Sequence, residues 1–293
     1  MTDYVLPASP SWYCSRVTDA NEYGLLVFGA KNSIFIWDVN VKPPRHKGYF
    51  RAHQERVVGV SLCRHQLSQP KCCSAGEDGK IKIWNLDSQA LLTEHSEHKN
   101  SPTVVDWSRV DQDLVVSGDD KGGIVAWRPS TGRCQHHQLD AAHVFCLACS
   151  PHSACHVAVG YKTGIVLVVD ISGQRSDVLQ RLRGHDEEVH SVSWCPPTGS
   201  DCTNWRSHTT ELSVPLSEDD PTKEWLLASA SRDRTIRVWN VRQGNAVHTL
   251  RLPSNTGGHK RERFDEQGRT ARVWVALHWP QNRPHELVSS SHK

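Results

Sequence analysis

One pattern returns along this chain and decides what it is able to become. Leu226 to Asn240 reads as an apolar strand, a polar turn over Ser231 to Arg234, and an alternating strand that ends on Trp239-Asn240. The same pattern spans Leu25 to Asp38, Cys72 to Asn85 and Leu114 to Trp127, and in weaker form Val157 to Asp170. Alternation with period two makes each of these a β-hairpin rather than a helix. The closing residues Trp37, Trp84, Trp127, Val169 and Trp239 stand 47, 43, 42 and 70 positions apart. A hairpin cannot bury both of its faces alone, so units returning at a fixed interval must stack on one another.

An interval of about 40–45 residues ending in Trp-Asp or Trp-Asn fits one four-stranded blade of a WD-repeat β-propeller. The expected fold is therefore all-β, with residues 1–293 forming a partial propeller. The 70-residue interval exceeds one blade, and the polar stretch 197–222 accounts for the excess as a loop between two strands. A second polar loop is expected over 253–270. A sixth blade begins near 271, with Val273 to Trp279 and Leu287 to Ser290 as its first strands, and stops at Lys293. A propeller is a closed ring, so about five and a half blades read as a truncated chain with apolar blade faces exposed.

Two repeats carry a matching polar set: His53, Ser74, Asp78 and Trp84 in one, His185, Ser229, Asp233 and Trp239 in the other. In both, the serine lies ten residues before the tryptophan and the aspartate six before it. The expected arrangement is a buried relay from carboxylate to imidazole to hydroxyl to indole, satisfying groups that unpaired would each cost about 1–3 kcal/mol. The third repeat keeps Ser117 and Trp127 but has Lys121 at the aspartate position. The fourth has Val159 and Thr163, so packing alone should hold it.

A Ser/His/Asp set that occurs twice, spans a blade and ends on an indole is structural, and no Gly-x-Ser-x-Gly elbow exposes a nucleophile. Cys146-x-x-Cys149 sits alone in an apolar strand without the second pair that a zinc site needs. No phosphate-cradling glycine motif occurs. No enzyme activity, cofactor, metal or small-molecule substrate is expected. Lys+Arg of 34 against Asp+Glu of 32 is too even to mark a nucleic-acid binder, so any basic surface must be local. The ten cysteines fall largely in apolar strands and read as free core residues of a reducing setting, cytoplasm or nucleus. Met1 to Ser9 carries no secretory pattern, and no apolar run is long enough to span a bilayer, so no membrane partner is expected.

Function in such a ring sits on its rims. Lys31, Lys80, Lys121, Lys162 and Arg232 lie in or beside the five middle turns, one cation per blade, which suits a polyanion. Polar turns with lysine are also common on any surface. Trp12 and Tyr13 before the first strand, Tyr161 beside Lys162, and Trp274 after the basic run Lys260 to Arg263 add aromatic plates for unstacked bases. Strand alternation leaves open whether Trp274 faces inward. Trp107, Trp194 and Trp279 occupy one equivalent position and belong to the core.

With these residues in view, the chain resembles the N-terminal WD-repeat region of the fifth-Gemin family, the RNA-recognising subunit of the survival-of-motor-neuron complex. The resemblance rests on Ser11-Trp-Tyr-Cys14, Thr93-Glu-His95, Leu114 to Asp119, Phe145 to His152, Leu182 to Ser191, Leu277 to Pro280 and Leu287 to Ser290. It implies a module that reads the Sm site and the 7-methylguanosine cap of small nuclear RNA precursors for snRNP assembly, alongside proteins of that complex, in cytoplasm and nuclear bodies. It implies RNA contacts at Trp12, Tyr13, Lys31 and Glu188, with Trp274 stacking on the cap base. Lys31 stands where the family carries arginine, a point charge in place of a fork. The resemblance also implies a seven-bladed ring, whose second cap-pocket wall lies in blades past Lys293, so the chain alone is expected to bind RNA weakly or not at all. The competing reading is a protein–protein interaction scaffold without RNA recognition.

Overall fold

The computed structural model describes residues 10–11, 14, 16–65, 69–173, 177–197, 225–252, 274–280 and 286–292. Among them there are strands and no helix, and so no helix able to cross a membrane. The first sheet runs β1 (Thr18–Ala20), β2 (Leu25–Ala30), β3 (Ser33–Asp38) and β4 (Arg45–Arg51) in chain order. The second is β5 (Val57–Leu62), β6 (Lys71–Gly76), β7 (Ile81–Asn85) and β8 (Leu91–His95). The third is β9 (Pro102–Trp107), β10 (Val115–Asp119), β11 (Gly123–Arg128) and β12 (Arg133–Gln138). The fourth is β13 (Val144–Cys149), β14 (His156–Tyr161), β15 (Val166–Asp170) and β16 (Asp177–Leu182). The fifth is β17 (Val189–Trp194), β18 (Leu226–Ser231), β19 (Thr235–Asn240) and β20 (Asn245–Arg251). A two-stranded sheet follows, β21 (Trp274–His278) and β22 (Val288–His292). All pairings within these sheets are antiparallel meanders, and the molecule is an incomplete WD-repeat β-propeller.

The stretches 198–224 and 253–273, which hold nearly all of both expected loops, lie outside the described residues.

Burial follows position in the blade. The first strands β5 and β17 and the second strands β6, β10 and β14 are buried nearly throughout, whereas the fourth strands β8, β16 and β20 alternate or lie exposed. The core lies between blades: Val17, Val27, Ile34 and Ile36 of the first sheet meet Val57, Val60, Leu62 and Trp84 of the second. Trp107, Trp194 and Trp279 are buried, each in the contact between adjacent blades.

A second device joins the blades, and the repeat pattern gave no sign of it. Near the C-terminal end of four first strands, β1, β5, β9 and β17, one side chain accepts the backbone N–H of the next blade's first strand. Asp19 takes Leu62 N–H at 2.8 Å, Ser61 takes Trp107 N–H at 3.1 Å, Asp106 takes Cys149 N–H at 2.8 Å and Ser193 takes Trp279 N–H at 3.1 Å. Arg16 crosses the centre, donating to Asp106 at 2.9 Å and to the Val192 carbonyl at 3.3 Å, and so ties the third blade to the fifth.

The two polar sets come together as relays. His53 Nδ1 donates to Asp78 at 2.9 Å, the Ser74 hydroxyl meets His53 Nε2 at 2.8 Å, and Trp84 Nε1 donates to Ser74 Oγ at 2.9 Å. In the fifth blade His185 Nδ1 meets Asp233 at 3.0 Å, and Ser229 Oγ lies 2.7 Å from both His185 Nε2 and Trp239 Nε1. A carboxylate only accepts, which fixes the proton on each Nδ1. The third repeat corrects the reading that Lys121 leaves it without a carboxylate. Asp119, two residues earlier, reaches His98 Nδ1 at 3.4 Å while His98 Nε2 meets Ser117 Oγ at 2.6 Å. Asp119 ends β10 opposite a bulge at Thr103 of β9, where the second blade has Gly76, and its carboxylate accepts the N–H groups of Lys121 and Gly123. The fourth repeat has no such relay among the described residues and packs through Val157, Val159, Leu167 and Val169.

Candidate nucleic-acid interface

Backbone bonds seat each middle turn against the loop entering a first strand, which places both on one rim. Val57 N–H donates to Lys31 O, Glu77 N–H to Arg56 O, Asp120 N–H to Ser101 O, Lys162 N–H to His143 O and Arg232 N–H to Glu188 O. The five turn cations therefore do share a face, but they are not five free charges. Lys80 Nζ bonds Glu94 at 2.5 Å. Arg232 lies 3.3 Å from both Glu187 and Glu188. Lys31, Lys121 and Lys162 are exposed and make no side-chain ion pair among the described residues. The expected ring of five cations is thus corrected to three, because two blades supply their own carboxylates.

Tyr161 is a second correction. It is the last residue of β14, faces the core with no exposed surface, and carries a phenol pushed up by burial. Its position is the end of a second strand, where the other blades place Gly76, Asp119 and Ser231 inside. It is no rim plate.

Glu188 and Trp274 come together through a residue the sequence reading passed over. His190, on β17, is buried with 4% of its surface exposed. Its ring stacks on the Trp274 indole with centroids 4.3 Å apart and planes at 21°. Its Nε2 is 3.8 Å from Glu188, whose carboxylate also accepts from Arg232 Nη1 at 3.3 Å. Burial holds the His190 pKa down to about 4 against the pull of Glu188, so the plate under Trp274 is neutral at physiological pH. Phe145 of β13 meets His190 edge-on at 5.8 Å, and His143 lies 4.5 Å from Phe145. A row of four rings, His143, Phe145, His190 and Trp274, therefore crosses the rim ends of three adjacent first strands. The signal was available: Val144-Phe145 and Val189-His190 open equivalent strands with an aromatic at the second position.

Trp12 and Tyr13 lie outside the described residues, although Ser11 N–H donates to Gly29 O at 3.1 Å and so fixes the chain beside β2 just before them. Lys31, in the left-handed region at φ 52°, stands at the β2–β3 turn, at the same edge of the first blade. The two cysteines of the Cys-x-x-Cys pair are buried in β13, with Cys146 pushed up to about 12 by burial and its Sγ 3.3 Å from Val189 O. No cluster of metal ligands occurs among the described residues.

The model of the RIG first beta-propeller matches residues 74–208, and that of the WD domain, G-beta repeat, matches residues 44–85. The chain is 38% identical over 302 residues to Gem-associated protein 5 of Mus musculus and 38% identical over 301 residues to that of Homo sapiens. Each alignment covers 97% of this chain and 20% of the relative. Component of gems protein 5 of Dictyostelium discoideum is 26% identical over 353 residues, covering 98% of this chain and 27% of that protein. The chain thus spans 20% of the length of its mouse and human relatives. By its blades and by these matches, the chain belongs to the WD-repeat propellers and is a relative of Gem-associated protein 5.

Proposed function

We propose that the chain is an RNA-recognition propeller acting in snRNP assembly with proteins of the survival-of-motor-neuron complex, in cytoplasm and nucleus. Its RNA is a small nuclear RNA precursor, read at the uridine-rich Sm site and the 7-methylguanosine cap. The observation that carries this reading is the half-buried Trp274 indole, backed by the neutral His190 ring and bordered by the Glu188–Arg232 pair. An indole with one face covered by protein offers the other to a base, worth about 1–3 kcal/mol. Glu188 accepts from the edge of that base, and Lys31, Lys121 and Lys162 meet phosphates. Trp12 and Tyr13 are the further aromatics offered to the RNA.

Trp274→Ala and Tyr13→Ala are each expected to weaken binding of a capped Sm-site oligonucleotide about tenfold, with circular dichroism unchanged. Fluorescence anisotropy reads the affinity, and two variants that bind as well as the parent would end the proposal. The ion pairs at Lys80 and Arg232 favour the alternative, a scaffold for protein partners, since they take two of the five rim cations from a polyanion. Crosslinked partners that survive nuclease treatment of a lysate would support that second reading, and partners lost with the RNA would support the first.

A further inference from the structure

A cavity of about 250 Å³ opens at the seam between the third and fourth blades. Its apolar lining is Leu114, Ala126 and Ile171, all buried. The repeat accounts for the missing volume. At the seam between the first two blades, Leu25 and Ile36 pack with Trp84 and Leu86. By strand register the equivalent places here are Leu114, Ala126, Val169 and Ile171, which share one apolar cluster. Alanine stands for isoleucine and valine for tryptophan, so this seam lacks two large side chains that close packing would require. The other blades place Ile83, Val168 and Val238 where the third has Ala126.

The polar lining is Arg128, Arg133, Gln135 and Cys155. Arg128 Nη1 donates to Asp111 at 2.8 Å, so its charge is already answered. Arg133 is exposed and makes no side-chain hydrogen bond or ion pair among the described residues. The half-buried Gln135 adds an amide that is equally unengaged there. An apolar floor beside one free guanidinium suits a ligand that is greasy at one end and anionic at the other. A bare phosphate would leave the floor unused, and a hydrocarbon would leave the fork unused.

We propose that this cavity binds a branched aliphatic carboxylate, with its hydrocarbon body on Leu114, Ala126 and Ile171 and its carboxylate on Arg133. The planar fork of the guanidinium takes both oxygens at once. A free acid and the C-terminal residue of a peptide share this chemistry. The site is independent of the RNA reading: Arg128 ends β11 and Arg133 begins β12, at the end of the blade away from the middle turn.

Cys155 lines the cavity and is partly exposed, so its alkylation by N-ethylmaleimide, followed by peptide mass spectrometry, reports occupancy. Cys134, which packs at the seam with the second blade, is the control. N-acetyl-leucine is expected to slow alkylation of Cys155 and leave Cys134 unchanged. N-acetyl-leucinamide, without the charge, and acetate, without the body, should each need at least about tenfold more. Gly-Gly-Leu protecting better than N-acetyl-leucine would identify a peptide C-terminus as the source, and protecting less well would identify a free acid. Arg133→Gln should weaken N-acetyl-leucine at least about tenfold. Ala126→Ile should abolish its protection by filling the cavity, with no fall in the thermal midpoint. The comparison of probes on the unaltered protein needs no variant to fold. No protection of Cys155, equal protection by acid and amide, or full affinity in Arg133→Gln would overturn the proposal.

Discussion

Ser229 holds two groups at once, His185 Nε2 and Trp239 Nε1, both at 2.7 Å, and has no exposed surface. Removing its oxygen strands a buried indole N–H and a buried imidazole nitrogen together, so the cost is that of unmet partners rather than of one lost bond. Ser229→Ala is expected to destabilise the protein by about 2–4 kcal/mol, read from urea unfolding midpoints. Ser130→Ala, which removes an exposed bond to Asp113 at the β11–β12 turn, should change them by less than about 0.5 kcal/mol. Equal losses at the two sites would show that the relay is incidental to stability. Asp233 contributes through its position: it accepts from His185, from Thr235 and from the Asp186 N–H, which together hold its carboxyl far below the usual range.

At the scale of the strand, alternation made the hairpins legible, and the two relays showed because the serine of each lies ten residues before its tryptophan, Trp84 or Trp239. What joins one blade to the next was not legible. Asp19, Ser61, Asp106 and Ser193 bond backbone about 43 to 86 positions away, and a hydroxyl or carboxylate inside a strand carries no mark of its partner. Tyr161 misled for the opposite reason: next to Lys162 it reads as a turn, yet the pleat turns it inward. His95 shows another contact between blades. It lies on β8 of the second blade, and its ring meets Trp127 of the third at 4.6 Å. Burial, with His98 and His136 nearby, lowers its pKa to about 4. A histidine depressed on folding stabilises the protein above its unfolded pKa of about 6.5, and that share is lost as pH falls towards 4. His190 adds a loss of the same sign in the same window. The denaturation midpoint should therefore drop between pH 7 and pH 5, and His95→Phe should drop less than the parent. The depressed aspartates titrate below this window and do not contribute to it.

For the whole molecule, the charge that matters is what remains after internal pairing. A net charge of +2 hides a rim on which Lys80 and Arg232 are already answered by Glu94, Glu187 and Glu188. Lys31, Lys121 and Lys162 remain, spaced over the first, third and fourth blades. Single-stranded RNA releases counterions in proportion to the phosphates it gives up, with a slope of about −0.7 per contact in log affinity against log salt. Three free lysines predict a slope near −2, where five would give about −3.5. Lys121→Gln should flatten the slope by about 0.7, whereas Lys80→Gln should leave it nearly unchanged, because Glu94 already neutralises that lysine. Anisotropy titrations of an uncapped Sm-site oligonucleotide across a salt series separate the two outcomes. A steep slope that Lys80→Gln reduces as much as Lys121→Gln would mean that RNA breaks the Lys80–Glu94 pair on binding, and that the rim is charged by its ligand rather than by its own fold.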